Sequence, residues 1–263
     1  MVQFFPSREV VIAIGNFSVH WYGIMYLLAF VTTFLLVRIL QKQRGLSLSS
    51  DEWSSLLTWG IIGVIAGGRL GYVLFYEPMY FLAHPLEIVA VWKGGMSSHG
   101  GFIGVTLLML YAIRKQGLSF LVVADILVVP VAIGLAFGRF GNFINQELYG
   151  TVTTLSWGIV VPGLEGLRHP TQLYAVAKDL FIAGVCCFYL YKIKPPITGR
   201  VSALFLMMYG VLRFLVEYLR VQEHTVFDLG IVELSRGQLL TIPLFIIGVM
   251  LWVWAGRQET LKK

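Results

Sequence analysis

Gly138-Arg139-Phe140-Gly141-Asn142-Phe143-Ile144-Asn145-Gln146-Glu147 closes an almost wholly apolar run that begins at Leu121. Within ten residues the chain passes from hydrocarbon-compatible side chains to an arginine, two asparagines, a glutamine and a glutamate. If the helix continues one or two turns, steps of about 100° per residue bring Arg139, Asn142 and Gln146 into one narrow arc flanked by Gly138 and Gly141. Such a run fits a membrane span, and its ending is a dense set of hydrogen-bonding groups where most spans end in aromatics or plain charge.

The rest of the chain supports the membrane reading. Of 263 residues, 57% are hydrophobic and 13% charged, with a mean hydropathy of +0.77; soluble domains sit near 25% charged. Seven apolar segments approach the ~20 residues that a span requires. They lie near 19–38, 55–76, 98–113, 121–138, 171–191, 201–219 and 238–255. The expected fold is all-α: seven transmembrane helices in one membrane-embedded domain covering 1–263, with a small extracytoplasmic cap at about 139–170. Residues 78–92 and 2–16 read as interfacial amphipathic pieces. No cleavable signal peptide and no internal repeat are expected.

Orientation follows from positive charge in short loops. Arg38, Lys42, Arg44, Arg114, Lys115, Lys192, Lys194, Arg200, Arg257, Lys262 and Lys263 fall on one side, which makes that side cytoplasmic and the N-terminus external. The net charge of +6 is scattered between spans and does not point to nucleic acid. Cys186 and Cys187 are adjacent and mid-span, which suits neither a disulfide nor a metal site, so both read as apolar filler. No metal and no cofactor are expected.

The strongly polar residues converge on the outer half. His99 opens the third span behind Ser97 and Ser98, and Gly100 and Gly101 leave the helix start accessible to an anion; an interfacial anchor beside two packing glycines is the plainer alternative. Arg69 shares a face with Tyr72 and Tyr76, and pairing with a carboxylate between helices would explain it equally well. Tyr209, Arg213, Glu217 and Arg220 form one stripe, with Arg213 inside the lipid depth and Glu217 placed to hold it. Arg168-His169-Pro170-Thr171-Gln172 opens the fifth span with hydrogen-bonding groups at its outer end. His20, Trp21, Tyr22 and Tyr26 fit an ordinary aromatic belt. Several arginines with amide and phenol groups make an anion site, and the anion available at that depth is a phospholipid phosphate.

These residues resemble a known family. Ser98-His99-Gly100-Gly101, Gly138-Arg139-Phe140-Gly141-Asn142, Arg168-His169-Pro170-Thr171-Gln172-Leu173-Tyr174 and Arg213-Phe214-Leu215-Val216-Glu217 are similar to blocks of the bacterial prolipoprotein diacylglyceryl transferases, in order over roughly residues 19–256. The resemblance implies a multi-pass protein of the bacterial inner membrane whose site faces the periplasm or the outside. It also implies an enzyme that moves the diacylglyceryl group of phosphatidylglycerol to the lipobox cysteine thiol of preprolipoproteins and releases glycerol phosphate. The functional positions it carries over are Tyr22, His99, Arg139, Asn142, Asn145, Glu147, Gly150, Tyr209, Arg213 and Glu217. His99, Arg139 and Arg213 are expected to be catalytic. Tyr22, Arg69, Asn142, Asn145, Glu147, Gly150, His169, Tyr209, Glu217 and Arg220 are expected to bind substrate. One departure is clear: Ala175 stands where the family has a glutamate, with Lys178 at a usually apolar position and Asp179 beside it. A local compensating Lys178–Asp179 pair is one reading, weakened by the fact that neighbouring helical residues point apart. The rival readings are a phospholipid flippase, which needs polar residues continuing to the cytoplasmic side, and a headgroup transferase with another acceptor.

Overall fold

The computed structural model describes residues 2–4, 7–15, 17–194, 197–222, 227–228 and 233–260, with backbone only at 2–4, 17, 98–99, 227–228, 233 and 259–260. The protein is mostly helical. Among the described residues seven helices have 18 or more residues: α1 (Trp21–Leu40), α2 (Ser50–Phe75), α4 (Ser98–Lys115), α5 (Phe120–Asn145), α6 (Thr171–Lys192), α7 (Arg200–Glu217) and α8 (Arg236–Thr260). A single short helix, α3 (Pro78–Ala83), follows α2. Five of the long helices are long and apolar enough to cross a membrane, namely α1, α2, α5, α6 and α8. The other two owe their weaker signal to their own chemistry. Helix α7 carries Arg200, Arg213 and Glu217, and α4 opens on Ser98-His99-Gly100-Gly101 and closes on Arg114-Lys115. Leu27, Leu74, Phe75, Phe102, Phe181 and Met250 are all exposed, as expected where lipid replaces water.

Two expectations need correction. The all-α expectation misses strands at the N-terminus, where an amphipathic piece is expected: β1 (Val2–Phe4), β2 (Val10–Ile14) and β3 (Phe17–His20) pair antiparallel in the order β1-β2-β3. The β-branched run Val10-Val11-Ile12 before Gly15, which sits at φ +60°, is a hairpin signal that an all-helical reading passes over. A second small pair, β4 (Phe227–Asp228) with β5 (Glu233–Leu234), precedes α8. The polar stretch after Phe137 is also not a loop. Helix α5 runs on through Asn145, so irregular chain starts at Gln146 rather than at 139.

The chain forms two compact units, Met1–Arg44 with Ala124–Lys263 and, separately, Gly45–Val123. The first is pinned by a buried polar knot. Both oxygens of Asp125, fully buried in α5, are engaged: Oδ1 accepts from Ser202 N and Oγ (2.8 and 2.7 Å), and Oδ2 from Gly199 N (2.8 Å). The Arg44 guanidinium lies 3.1 Å from Oδ2 and donates to Thr198 Oγ1 at 2.9 Å. A buried carboxylate is tolerated only when so fully paired, and here the pairing fixes the start of α7 against α5.

In the second unit α2 and α4 pack backbone to backbone. Gly63, Gly67 and Gly71 recur every fourth residue on α2, facing Gly100 and Gly104 of α4. A Cβ at Gly63 would stand 2.7 Å from Gly104 O, and one at Gly71 would stand 2.7 Å from Gly100 Cα. Small residues at that spacing let helices approach where no hydrophobic force separates protein from lipid. The capping box of Ser49 with Glu52 starts α2.

Candidate active site

The last two turns of α5, the reversal after it, the start of α6 and the end of α7 enclose one small pocket. Its walls include Arg139, Gln172, Ala175, Arg213, Glu217 and Arg220. Three guanidinium groups thus share a cavity with one carboxylate. Helix spacing places Arg213 and Glu217, at i and i+4, on one face of α7. Arg220 lies past the end of that helix, bridged to Gly150, so the expected four-residue helical stripe stops at Glu217.

Glu217 organises that face. It is buried, 3.4 Å from Arg213 Nη2 and 3.6 Å from Arg220 Nη1. Ser235 Oγ donates to its Oε1 at 3.5 Å. Ser235 and Gln238 in turn close a capping box at the start of α8: Gln238 N donates to Ser235 Oγ (3.1 Å), and Ser235 N donates to Gln238 Oε1 (2.9 Å). Gly237, between them in that turn, is pressed against the carboxylate, because a Cβ there would meet Glu217 Oε1 at 2.6 Å. Ser-x-x-Gln before an apolar run was the sequence signal for this support, and the spacing alone could not say that it serves Glu217.

Glu147 organises the neighbouring network. Tyr22 OH donates to its Oε2 at 3.2 Å, and Asn145 Nδ2 to its Oε1 at 2.9 Å. Asn142 Nδ2 donates to the Tyr22 hydroxyl. Gly141 lets the Tyr22 ring lie flat against α5, with a Cβ there only 3.3 Å from the ring. The turn carrying Glu147 is strained, since Gln146 and Leu148 both adopt positive φ (58° and 54°). Non-glycine residues hold that conformation only when their surroundings impose it. Here Thr171 Oγ1 donates to Leu148 O (2.8 Å) and Gln172 Nε2 to Glu147 O (2.5 Å). Arg8 Nε donates to Ile144 O, closing the end of α5. Gln146 therefore leaves the arc that Arg139 and Asn142 share, because the helix ends one residue before it.

Gly150 and His169 build the floor of the irregular segment rather than the pocket wall. Gly150 N donates to His169 O (2.9 Å), and Thr151 N donates to Leu219 O (2.9 Å). A Cβ at Gly150 would stand 2.6 Å from both Leu219 O and His169 Cβ, so only glycine fits. His169 Nδ1 lies 3.2 Å from Tyr174 OH, which also accepts from Trp157 Nε1 (2.8 Å).

Tyr209 lies one turn deeper than Arg213, and the Lys178 ammonium sits 4.3 Å from its ring centroid. Lys178 and Asp179 are both buried and form the local ion pair that their adjacency suggests, although neighbouring helical residues point apart. The pair therefore lies with Tyr209 through its lysine.

The other unit holds two expected residues. Arg69 is buried and its donors go to backbone: Nε to Ile88 O (2.9 Å), Nη1 to Gly94 O (2.5 Å) and Gly95 O (3.1 Å), Nη2 to Glu87 O (2.6 Å). Its guanidinium also stacks 5.0 Å from the Phe81 centroid. The structure thus gives Arg69 a scaffolding position, tying residues 87–95 to α2. Beside it Glu87 accepts from Lys93 (2.8 Å) and Tyr80 (3.0 Å), and the Lys93 bond holds its carboxyl below the usual range. His99 opens α4, and its side chain lies outside the described residues. Among the described residues no group of three or more His, Cys, Asp or Glu side chains could hold a metal ion.

Comparison with known proteins identifies the family. The family model "Prolipoprotein diacylglyceryl transferase" matches residues 9–254. The phosphatidylglycerol–prolipoprotein diacylglyceryl transferase of Bordetella avium is 43% identical, with 99% of each chain covered. That of Nitrosomonas europaea is 44% identical, covering 98% of this chain and 92% of its own. That of Dechloromonas aromatica is 45% identical, covering 98% of both. On a match that runs nearly end to end, this chain belongs to the prolipoprotein diacylglyceryl transferase family.

Proposed function

We propose that this protein transfers the diacylglyceryl group of phosphatidylglycerol to the cysteine thiol of a preprolipoprotein lipobox, the first step of lipoprotein maturation. The observation that carries the reading is the pocket of Arg139, Arg213 and Arg220 with a single carboxylate, Glu217. Its surplus positive charge suits a phosphate, and guanidinium groups bind phosphate bidentately.

In the reaction the sulfur attacks the glycerol carbon that bears the phosphate. A C–S bond forms, the C–O bond to phosphate breaks with its electron pair going to oxygen, and glycerol phosphate leaves. Arg139 and Arg213 hold the phosphate and stabilise the charge that grows on it, which is the larger contribution to rate. Glu217 keeps Arg213 and Arg220 aimed. Asn142, Asn145, Tyr22, Glu147 and Tyr209 orient the headgroup, with Gly150 and His169 framing the segment above. The thiol proton must be accepted, because the thiolate is the nucleophile; His99 takes that role on its residue type and its place at a helix start. No metal takes part.

The protein is multi-pass and lies in the bacterial cytoplasmic membrane. All seven long helices span it as a single membrane-embedded domain, the N-terminus outside and the C-terminus cytoplasmic. Residues 146–170 form a cap on the outer side, where the pocket faces the periplasm or the exterior. The positive charge of the short loops supports that orientation. Purified protein incubated with phosphatidylglycerol and a lipobox peptide should yield the thioether product by mass spectrometry. Movement of lipid between leaflets with no thioether would replace this reading by a flippase.

A further inference from the structure

We infer that Gln172 reads a hydroxyl of the lipid headgroup and so makes the site selective for a glycerol-bearing phospholipid over one whose headgroup lacks hydroxyls. The inference rests on the transferase reading and concerns the half of the substrate that leaves.

Gln172 is 2% exposed and lines the arginine pocket. Its amide orientation is fixed, because Nε2 donates to the carbonyl of Glu147 at 2.5 Å in the strained reversal after α5. The remaining polar atom, Oε1, is buried and has no hydrogen-bond partner among the described residues. A buried carbonyl oxygen without a donor is disfavoured, so such an atom in a residue of a pocket wall marks a place where a ligand donor is expected. Asn145 repeats the arrangement: its Nδ2 donates to Glu147 Oε1 and its Oδ1 is buried without a partner.

The chemistry of the pocket selects the donor. Three arginines occupy the phosphate with donors only, and an amide oxygen can do nothing for an anion. Phosphatidylglycerol carries on the far side of its phosphate a glycerol with two free hydroxyls, each a donor of the right reach. Ala175, one turn along α6 on the same face, is also in the wall and offers Oε1 no donor of its own side chain. A site that pairs a substrate hydroxyl discriminates against the analogue lacking it, because the site's own buried polar atom is then left unpaired.

The test compares phosphatidylglycerol with phosphatidylpropanol of the same acyl chains, equal in charge but lacking both hydroxyls. Each is presented in detergent micelles to the full-length protein with a lipobox peptide, and thioether formation gives kcat/KM for both lipids. Wild type should favour phosphatidylglycerol by about tenfold, the size of one hydrogen bond to a buried acceptor. Gln172→Met should collapse that ratio towards one, and Gln172→Asn should keep part of it. A structural role alone would lower both lipids together, so an unchanged ratio in Gln172→Met overturns the inference. A wild-type ratio of one overturns it without any variant, since Oε1 is then served by water. No thioether from wild type with either lipid overturns the transferase reading, and this inference with it.

Discussion

Glu217 shows how a single side chain can set the charge of a site. It touches Arg213 and Arg220, receives Ser235, and is pressed by Gly237. Arg213→Ala and Arg139→Ala should each leave the protein folded and lower kcat for thioether formation by about 10²–10³-fold, the usual loss when one donor to a developing oxyanion is removed. Full activity in either would end the phosphate-clamp reading. Gly237→Ala is a finer probe, because the new Cβ must displace the Glu217 carboxylate without entering the pocket. An overpacking penalty of about 1–3 kcal/mol is expected, seen as a lower detergent melting temperature together with reduced turnover. For His99, rates of His99→Gln and His99→Ala should fall across the pH range; wild-type profiles in both would assign the proton to another acceptor.

At the scale of elements, the helices are held by two different devices. Helices α2 and α4 meet through glycines, so Gly67→Val should force them apart, whereas substitution at Gly23, which has open space around it, should be neutral. Thermal unfolding of both variants in detergent checks this. Helices α5 and α7, which carry Arg139 and Arg213, are joined far from the pocket by Asp125 with Ser202, Gly199 and Arg44. Asp125→Ala should destabilise by about 3–5 kcal/mol, because it strands a buried guanidinium. The double variant Asp125→Ala with Arg44→Met should recover part of that loss. Equal melting temperatures for the single and double variants would mean that the charge pair itself contributes little.

For the molecule as a whole, the consequence to test is orientation. In a variant with Cys186 and Cys187 replaced by alanine, a cysteine at Glu165 should react in intact cells with a membrane-impermeant maleimide. A cysteine at Gly117 should react only after the membrane is opened. The reverse pattern would invert the topology and move the arginine pocket to the cytoplasmic face.

The amino-acid sequence alone determined that this is a membrane protein, where its long helices lie, and which residues bring charge into them. Those properties are local: apolar length, helical spacing and the sign of loop charge depend on neighbours in the chain. It also carried the pair of Arg213 and Glu217, which one helix displays by its own periodicity, whereas Arg220 lies past the end of that helix and is placed by its bridge to Gly150. Only the tertiary structure decided what each polar group is paired with. Arg69 and Arg213 look alike in sequence, yet one gives its donors to loop carbonyls and the other lines a pocket. Asp125 drew no attention in its apolar run, although its four partner groups come from residues 44, 199 and 202. The same holds for Gln172, whose amide is oriented by donating to the carbonyl of Glu147, twenty-five positions away, and whose oxygen has no partner among the described residues. Pairing between distant residues is set by how helices pack, and packing is not written in any one segment.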